Sequence, residues 1–302
     1  MASQSPALSE AMDTFARSEW FSAPTDLSGH WKHFRRTPAA GIDADAKHLP
    51  FVKAVVEEML ERLRHARAAM GGAETRRYQR TFYKLWPSGP LGLDMAGRKG
   101  LRYTPSTVLA VHHANTILSH VRPTTILEIG AGLGHLSALL RRVCGARIYI
   151  VDLPETIMRA APRLAHHGTV ALPHQEPVSD INFLVPSQLD RVPPVQLAIN
   201  IASMQEMRLT EIARYFDWLR GNAELFYCVN RVEKWLSDEA GSADTTGARQ
   251  DYPVRFTDYP WGDCDDILYR ISRFHRLVAA EPVFERLTRL CPGDRPNHTS
   301  QS

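Results

Sequence analysis

The amino-acid sequence predicts a doubly wound α/β domain, a mostly parallel sheet with helices on both faces, behind an N-terminal helical region. Three observations predict it. Apolar residues recur at helical spacing before residue 123 and in short runs after it. After residue 123 those runs alternate with amphipathic stretches, the pattern of parallel strands joined by crossover helices. The first such unit is a buried strand, a turn with three glycines, and a helix.

Residues 1–122 read as the helical region. Val52, Val55, Val56, Met59, Leu60 and Leu63 repeat at helical spacing, and Gly71-Gly72 stops that helix. A second helix covers 74–86 and ends at Pro87; 88–100 is a Gly- and Pro-rich loop; a third helix starts near Thr104-Pro105 and runs to His120. Trp20, Trp31, Phe34 and Trp86 fit either a helical core or a lid or homodimer surface. Strands are expected at 125–130, 147–152, 181–185, 196–201 and 224–230, with helices at 133–143, 154–165 and 209–220. Residues 237–253 are polar and contain glycine, so they read as a flexible insertion. Apolar segments at 267–277 and 283–290 flank a turn at 279–282 and read as an antiparallel hairpin closing the sheet edge. The division is thus a helical region over 1–122, an α/β domain over 123–290 and a disordered tail over 291–302.

Composition narrows the function classes. With 302 residues, 44% of them hydrophobic and 23% charged, the chain can bury a full core without disulfide or metal support. The net charge of +3 is too small for a nucleic-acid surface, and the basic clusters at 31–36 and 62–80 read as solvated helix faces. Cys144, Cys228, Cys264 and Cys291 are scattered and read as free thiols of a reducing compartment. The first ten residues lack a basic stretch followed by an apolar one, and no run of 18 apolar residues occurs, so a cytoplasmic protein without a membrane span is expected.

The informative segment is Ile126-Leu-Glu-Ile-Gly-Ala-Gly-Leu-Gly-His135, with Gly130, Gly132 and Gly134 in the turn. Glycines let the backbone turn sharply and approach a ligand closely. The next strand ends in Asp152, which follows Gly130 by 22 residues, the place of an acid that grips ribose hydroxyls. A dinucleotide fingerprint would put glycine at 135, where this chain has His135. Glu128, inside the first strand, is a costly place for a charge unless it is used or paired. Asn200, Ser203 and Glu206 follow the fourth predicted strand, at the carboxyl end where such sheets bind ligands.

The spacing of Glu128, Gly130, Gly132 and Gly134 resembles the first motif of class I S-adenosylmethionine-dependent methyltransferases. The resemblance implies a seven-stranded sheet whose last strand is antiparallel, a loop holding the amino-acid end of S-adenosylmethionine, and Asp152 on its ribose. The terminal hairpin agrees with it. Asn200-Ile-Ala-Ser-Met-Gln-Glu-Met207 resembles the N-T-x-S-x-x-E-M stretch of a family of sugar O-methyltransferases, departing from it at Ile201-Ala202. Ser28-Gly-His-Trp-Lys-His-Phe34 looks like that family's early aromatic block, and Tyr227-Cys-Val-Asn-Arg231 resembles its fifth strand. The likeness covers most of residues 28–290. It implies S-adenosylmethionine as cofactor, with Glu128, Gly130, Gly132, Gly134, Asp152 and Asn200 around it. It also implies methyl transfer to a hydroxyl of a small molecule, a sugar or a glycosylated natural product. A small-molecule N-methyltransferase, or a protein that binds the cofactor without methylating, stays open beside it.

Two chemistries are disfavoured. Base methylation uses an Asn/Asp-Pro-Pro-aromatic turn after the fourth strand, which is absent here. Metal-assisted O-methylation clusters oxygen ligands after the fourth and fifth strands, where this chain offers Asn200 and Asn230 but no aspartate, so no metal is expected. A hydroxyl acceptor needs a general base. Glu206 is the first candidate and His275 the second, each against a structural or surface role. Of His112 and His113, adjacent on a helix, only one turns inward easily. Arg102 and Tyr103 are placed to meet a cofactor carboxylate or simply to start the helix.

Overall fold

The computed structural model describes residues 6–22, 105–237, 251–273 and 283–291. In chain order these form helices α1 (Pro6–Ala16), α2 (Glu19–Ser22) and α3 (Pro105–His120), then strand β1 (Thr125–Ile129), α4 (His135–Cys144), β2 (Arg147–Val151) and α5 (Pro154–Leu164). β3 (Val170–Ala171), β4 (Ile181–Leu184), β5 (Val195–Ile201), α6 (Leu209–Asn222) and β6 (Ala223–Arg231) follow. The chain continues with β7 (Glu233–Ser237), β8 (Asp251–Arg255), β9 (Asp266–Arg273) and β10 (Val283–Arg289).

The main sheet runs β3-β4-β2-β1-β5-β6-β10-β9, parallel except that β10 lies antiparallel to both β6 and β9. Seven of these strands are the predicted Rossmann-like set. The eighth, β3, is a two-residue addition beyond β4, too short for any periodicity to announce it. The central strands read TILEI and VQLAINI because both of their faces are covered, which removes the polar alternation of a half-exposed strand. One face is packed by Ala110, Ala114 and Ile117 of α3 with the apolar sides of α4 and α5; the other by Ile212, Tyr215, Phe216 and Leu219 of α6. Helix α3 therefore belongs to the same core as the sheet.

From β1 the chain steps outward to β2 and β4, then returns to place β5 against the free side of β1. That reversal opens a crevice above the carboxyl ends of β1 and β5. The glycine turn and the Asn200–Met207 stretch meet there.

Two expectations are corrected. The stretch 237–253 was expected to be a flexible insertion, but its ends are strands: β7 and β8 pair antiparallel from Glu233↔Arg255 to Ser237↔Asp251. β7 follows β6 after a single residue, and Leu236 and Val254 are buried against the α6 face, which fixes the ribbon. Residues 238–250 lie outside the described residues. Cys264 and Cys291, expected to be free, are joined in a disulfide; Cys144 and Cys228 are free. Antiparallel pairing of β9 with β10 brings the start of one strand beside the end of the other, so residues 27 apart in sequence have Cα atoms 5.9 Å apart. Cys291 is thereby anchored rather than part of a loose tail, and its amide also donates to Asp265. The helices expected over 52–63 and 74–86, with Trp31, Phe34 and Trp86, lie outside the described residues, as do 292–302. No helix among the described residues is long and apolar enough to cross a membrane.

Candidate active site

The turn after β1 is shaped by its glycines. Gly130, Gly132 and Gly134 have φ of 71°, 57° and 72°, a region that L side chains avoid. Gly130 is needed twice over, because a Cβ there would lie 2.1 Å from Ser203 Oγ. At Gly134 a Cβ would meet Leu164 Cδ1 of α5 at 2.6 Å. This glycine also caps α4, so the helix starts at His135 rather than at the expected residue 133. At Gly132 a Cβ would meet nothing within 4 Å: among the described residues the turn is open on that side.

Two acids flank the turn. Asp152, the first residue beyond β2, is 6% exposed; its Oδ2 accepts the Gly132 amide at 2.9 Å and its Oδ1 the Leu153 amide at 2.7 Å. Burial pushes its carboxyl up to about 6 against the pull of these amides. Glu128 of β1 is 4% exposed and accepts a hydrogen bond from the Ser137 hydroxyl of α4. Burial pushes its carboxyl up to about 7; Ser137 opposes the shift and the Asp152 charge adds to it. Neither acid has a cationic partner among the described residues. Ser137 was not foreseen, since a lone serine on the buried side of a helix gives no signal in sequence.

Asn200 joins the two sides of the crevice. Its Nδ2 donates to Ile129 O at 2.9 Å and to Ser203 Oγ at 2.5 Å. Its Oδ1 accepts Asn230 Nδ2 at 2.8 Å and the Met204 amide at 3.2 Å. Both donors and both acceptor sites of the buried amide are used. Ser203 completes the joint by donating to Ile129 O at 3.0 Å. Between them Ala202 takes φ 56°, the one non-glycine residue with positive φ among the described residues, beside Ile201, which stands where the resembled stretch has threonine.

Glu206 closes a short 3₁₀ turn, Met204–Glu206, and is 6% exposed. Lys234 of β7 reaches it in an ion pair whose side chains are 15% and 8% exposed. Gln205 ties the same turn to the end of β6: its amide donates to Asn230 Oδ1 at 3.2 Å and its Oε1 accepts the Arg231 amide at 2.7 Å. Tyr259 lies close enough to Glu206 and Cys228 for both to act on it, and its buried hydroxyl has no hydrogen-bond partner among the described residues. Burial raises the Tyr259 phenol, with Cys228 and Glu206 adding, and pushes the Cys228 thiol up to about 12, so Cys228 is not a nucleophile here.

Of the predicted residues, the structure brings Gly130, Gly132, Gly134, Glu128, Asp152, Asn200, Ser203 and Glu206 to one end of the sheet. His275, Arg102 and Tyr103 lie outside the described residues, as does the side chain of His112. His113 is part of a buried chain: its Nδ1 is 2.8 Å from the Tyr227 hydroxyl, which donates to Glu285 Oε1 at 2.6 Å. With the phenol hydrogen given to Glu285, His113 Nδ1 is the donor to Tyr227, the arrangement of a satisfied core histidine.

No known family model matches the chain, and no curated protein matches it in sequence. In fold it is similar to an S-adenosylmethionine-dependent methyltransferase from Clostridium acetobutylicum, at 12% identity, 55% of this chain, 84% of that chain and a TM-score of 0.36. It is also similar to the N-terminal domain of EvdMO1 solved with SAH and D-fucose (13%, 74% of this chain, 100% of that chain, TM-score 0.39). A third is the N-methyltransferase NodS from Bradyrhizobium japonicum (15%, 61%, 94%, TM-score 0.39). At these identities and scores they transfer no substrate, partner or residue role to this chain.

Proposed function

We propose that the chain is an S-adenosylmethionine-dependent methyltransferase whose acceptor is a hydroxyl of a small molecule, a sugar or a glycosylated natural product. One observation carries the choice of cofactor: two buried carboxylates border the glycine turn with no cation beside them among the described residues, and one of them occupies the Gly132 amide. A dinucleotide's pyrophosphate needs loop amides turned toward it, whereas here Asp152 takes the Gly132 amide and Glu128 adds a second buried acid. A nucleoside whose far end carries an ammonium and a sulfonium complements them. The open side of the turn at Gly132 leaves room for it. Asp152 is the acid for the ribose, Glu128 the counter-charge on the cationic side, and the glycines the floor. Asn200 serves by holding the turn after β1 against the turn after β5.

When bound, S-adenosylmethionine supplies an electrophilic methyl on a sulfonium. The protein then has to orient a hydroxyl and take its proton. Glu206 is the acceptor of that proton, and Lys234 fixes the carboxylate in place. The likeness of residues 203–207 to the sugar O-methyltransferase stretch supports the acceptor class. The side-chain oxygen of Asn200 accepts Asn230 Nδ2 and the Met204 amide, and that of Asn230 accepts the Gln205 amide, so no metal step is assigned.

The reading is tested by incubating the protein with S-adenosylmethionine and a panel of free and nucleotide-linked 6-deoxyhexoses, with and without EDTA, and analysing products by mass spectrometry. The expected result is S-adenosylhomocysteine with a hydroxyl-methylated acceptor, undiminished by EDTA. Methylation of amino sugars alone would move the assignment to an N-methyltransferase, and loss of activity restored by magnesium would make Asn200 and Asn230 metal ligands.

A further inference from the structure

Glu128 and Asp152 differ in how well each can bear a charge. Asp152 accepts the amides of Gly132 and Leu153, with the Thr156 hydroxyl and the Ala131 amide also acting on it. Glu128 has fewer, the hydroxyl and the backbone amide of Ser137. Around them, Asp152 is the charge that acts on Glu128, and Tyr215 of α6 feels Asp152 while burial keeps its phenol neutral. Among the described residues no Lys, Arg or His pairs with either acid. Two buried carboxylates without a counter-ion resist being ionised together, and the acid with fewer donors keeps the proton.

We propose that donor binding in this protein is coupled to proton release at Glu128, which is protonated while the site is empty and ionised when the cationic end of S-adenosylmethionine lies against it. This rests on the cofactor reading above. The balance is simple: the neutral carboxyl and the cation give an ion pair plus one proton, which leaves to solvent, and no bond in the donor changes. The α-ammonium, shared by S-adenosylmethionine and S-adenosylhomocysteine, is sufficient, so both nucleosides show the coupling. Burial holds the Glu128 carboxyl near 7, so affinity rises as pH increases from about 6 to 8 and levels off above.

Isothermal titration calorimetry with S-adenosylhomocysteine at pH 7, in phosphate and in Tris, counts the protons released, because the two buffers have different ionisation heats. The wild-type chain should release about half a proton more than Glu128→Gln, whose side chain mimics the protonated acid and cannot ionise. Ser137→Ala removes the hydroxyl that favours the charged form and leaves the Ser137 amide in place, so it should release more than wild type. Equal proton counts in wild type and Glu128→Gln, or an unchanged count in Ser137→Ala, would overturn the proposal. Absence of any binding to wild type would overturn the cofactor reading itself, a different and recognisable result.

Discussion

The turn after β1 is built from backbone, the turn after β5 from side chains. After β1 three glycines with positive φ set the turn, and amides of Gly132 and Leu153 hold Asp152. After β5 Asn200, Ser203, Gln205, Glu206 and Asn230 bond to one another across β5 and β6, and Lys234 reaches in from a ribbon. A backbone turn tolerates only residues that can adopt its φ, so it is specified locally. A side-chain network is specified by pairs far apart in sequence, such as Glu206 with Lys234, and can be rewired without touching the glycine turn.

Three sets of substitutions sharpen that contrast. The largest effect should come from Glu206→Gln, which keeps shape and hydrogen bonding but cannot take a proton. Turnover should fall by about 10²–10⁴-fold with S-adenosylhomocysteine affinity nearly intact. Lys234→Met should lower turnover in the same direction and by less. Near-normal turnover in Glu206→Gln together with loss in His275→Ala would move the base to His275. Next is Gly130→Ala, which combines a left-handed backbone with a Cβ 2.1 Å from Ser203 Oγ and should cost about 2–4 kcal/mol in urea unfolding. Asn200→Ala strands several buried partners and should cost about 2 kcal/mol. A loss of nucleoside affinity with full stability would make Asn200 a ligand contact instead. Smallest in stability is Gly132→Ala, at about 1 kcal/mol of backbone strain. Its Cβ enters the open side of the turn, so nucleoside affinity should fall more than stability does.

What the sequence reveals follows the same division. Glu128, the glycines and Asp152 are legible because turn chemistry fixes residue type and spacing, although Gly130 and Asp152 prove to be the first residues off their strands. The sheet is legible because both faces of its central strands are covered. Ser137 and Lys234 are not legible: each is an ordinary polar residue until a helix face or a ribbon brings it to an acid. The ribbon itself is hidden because Glu233–Ser237 and Asp251–Arg255 pair across a polar stretch that resembles a loop. The cysteine pair is hidden because 27 residues of sequence separate partners that strand pairing brings together.

The central claim is that the glycine turn with its two buried acids receives S-adenosylmethionine rather than a dinucleotide. It is tested most directly by titrating the protein with S-adenosylhomocysteine and, separately, with NADH. The account predicts that S-adenosylhomocysteine binds, that NADH does not, and that Asp152→Ala weakens the nucleoside by roughly 1.5–3 kcal/mol, the scale of a lost charged hydrogen bond. Binding of NADH without binding of S-adenosylhomocysteine would contradict it.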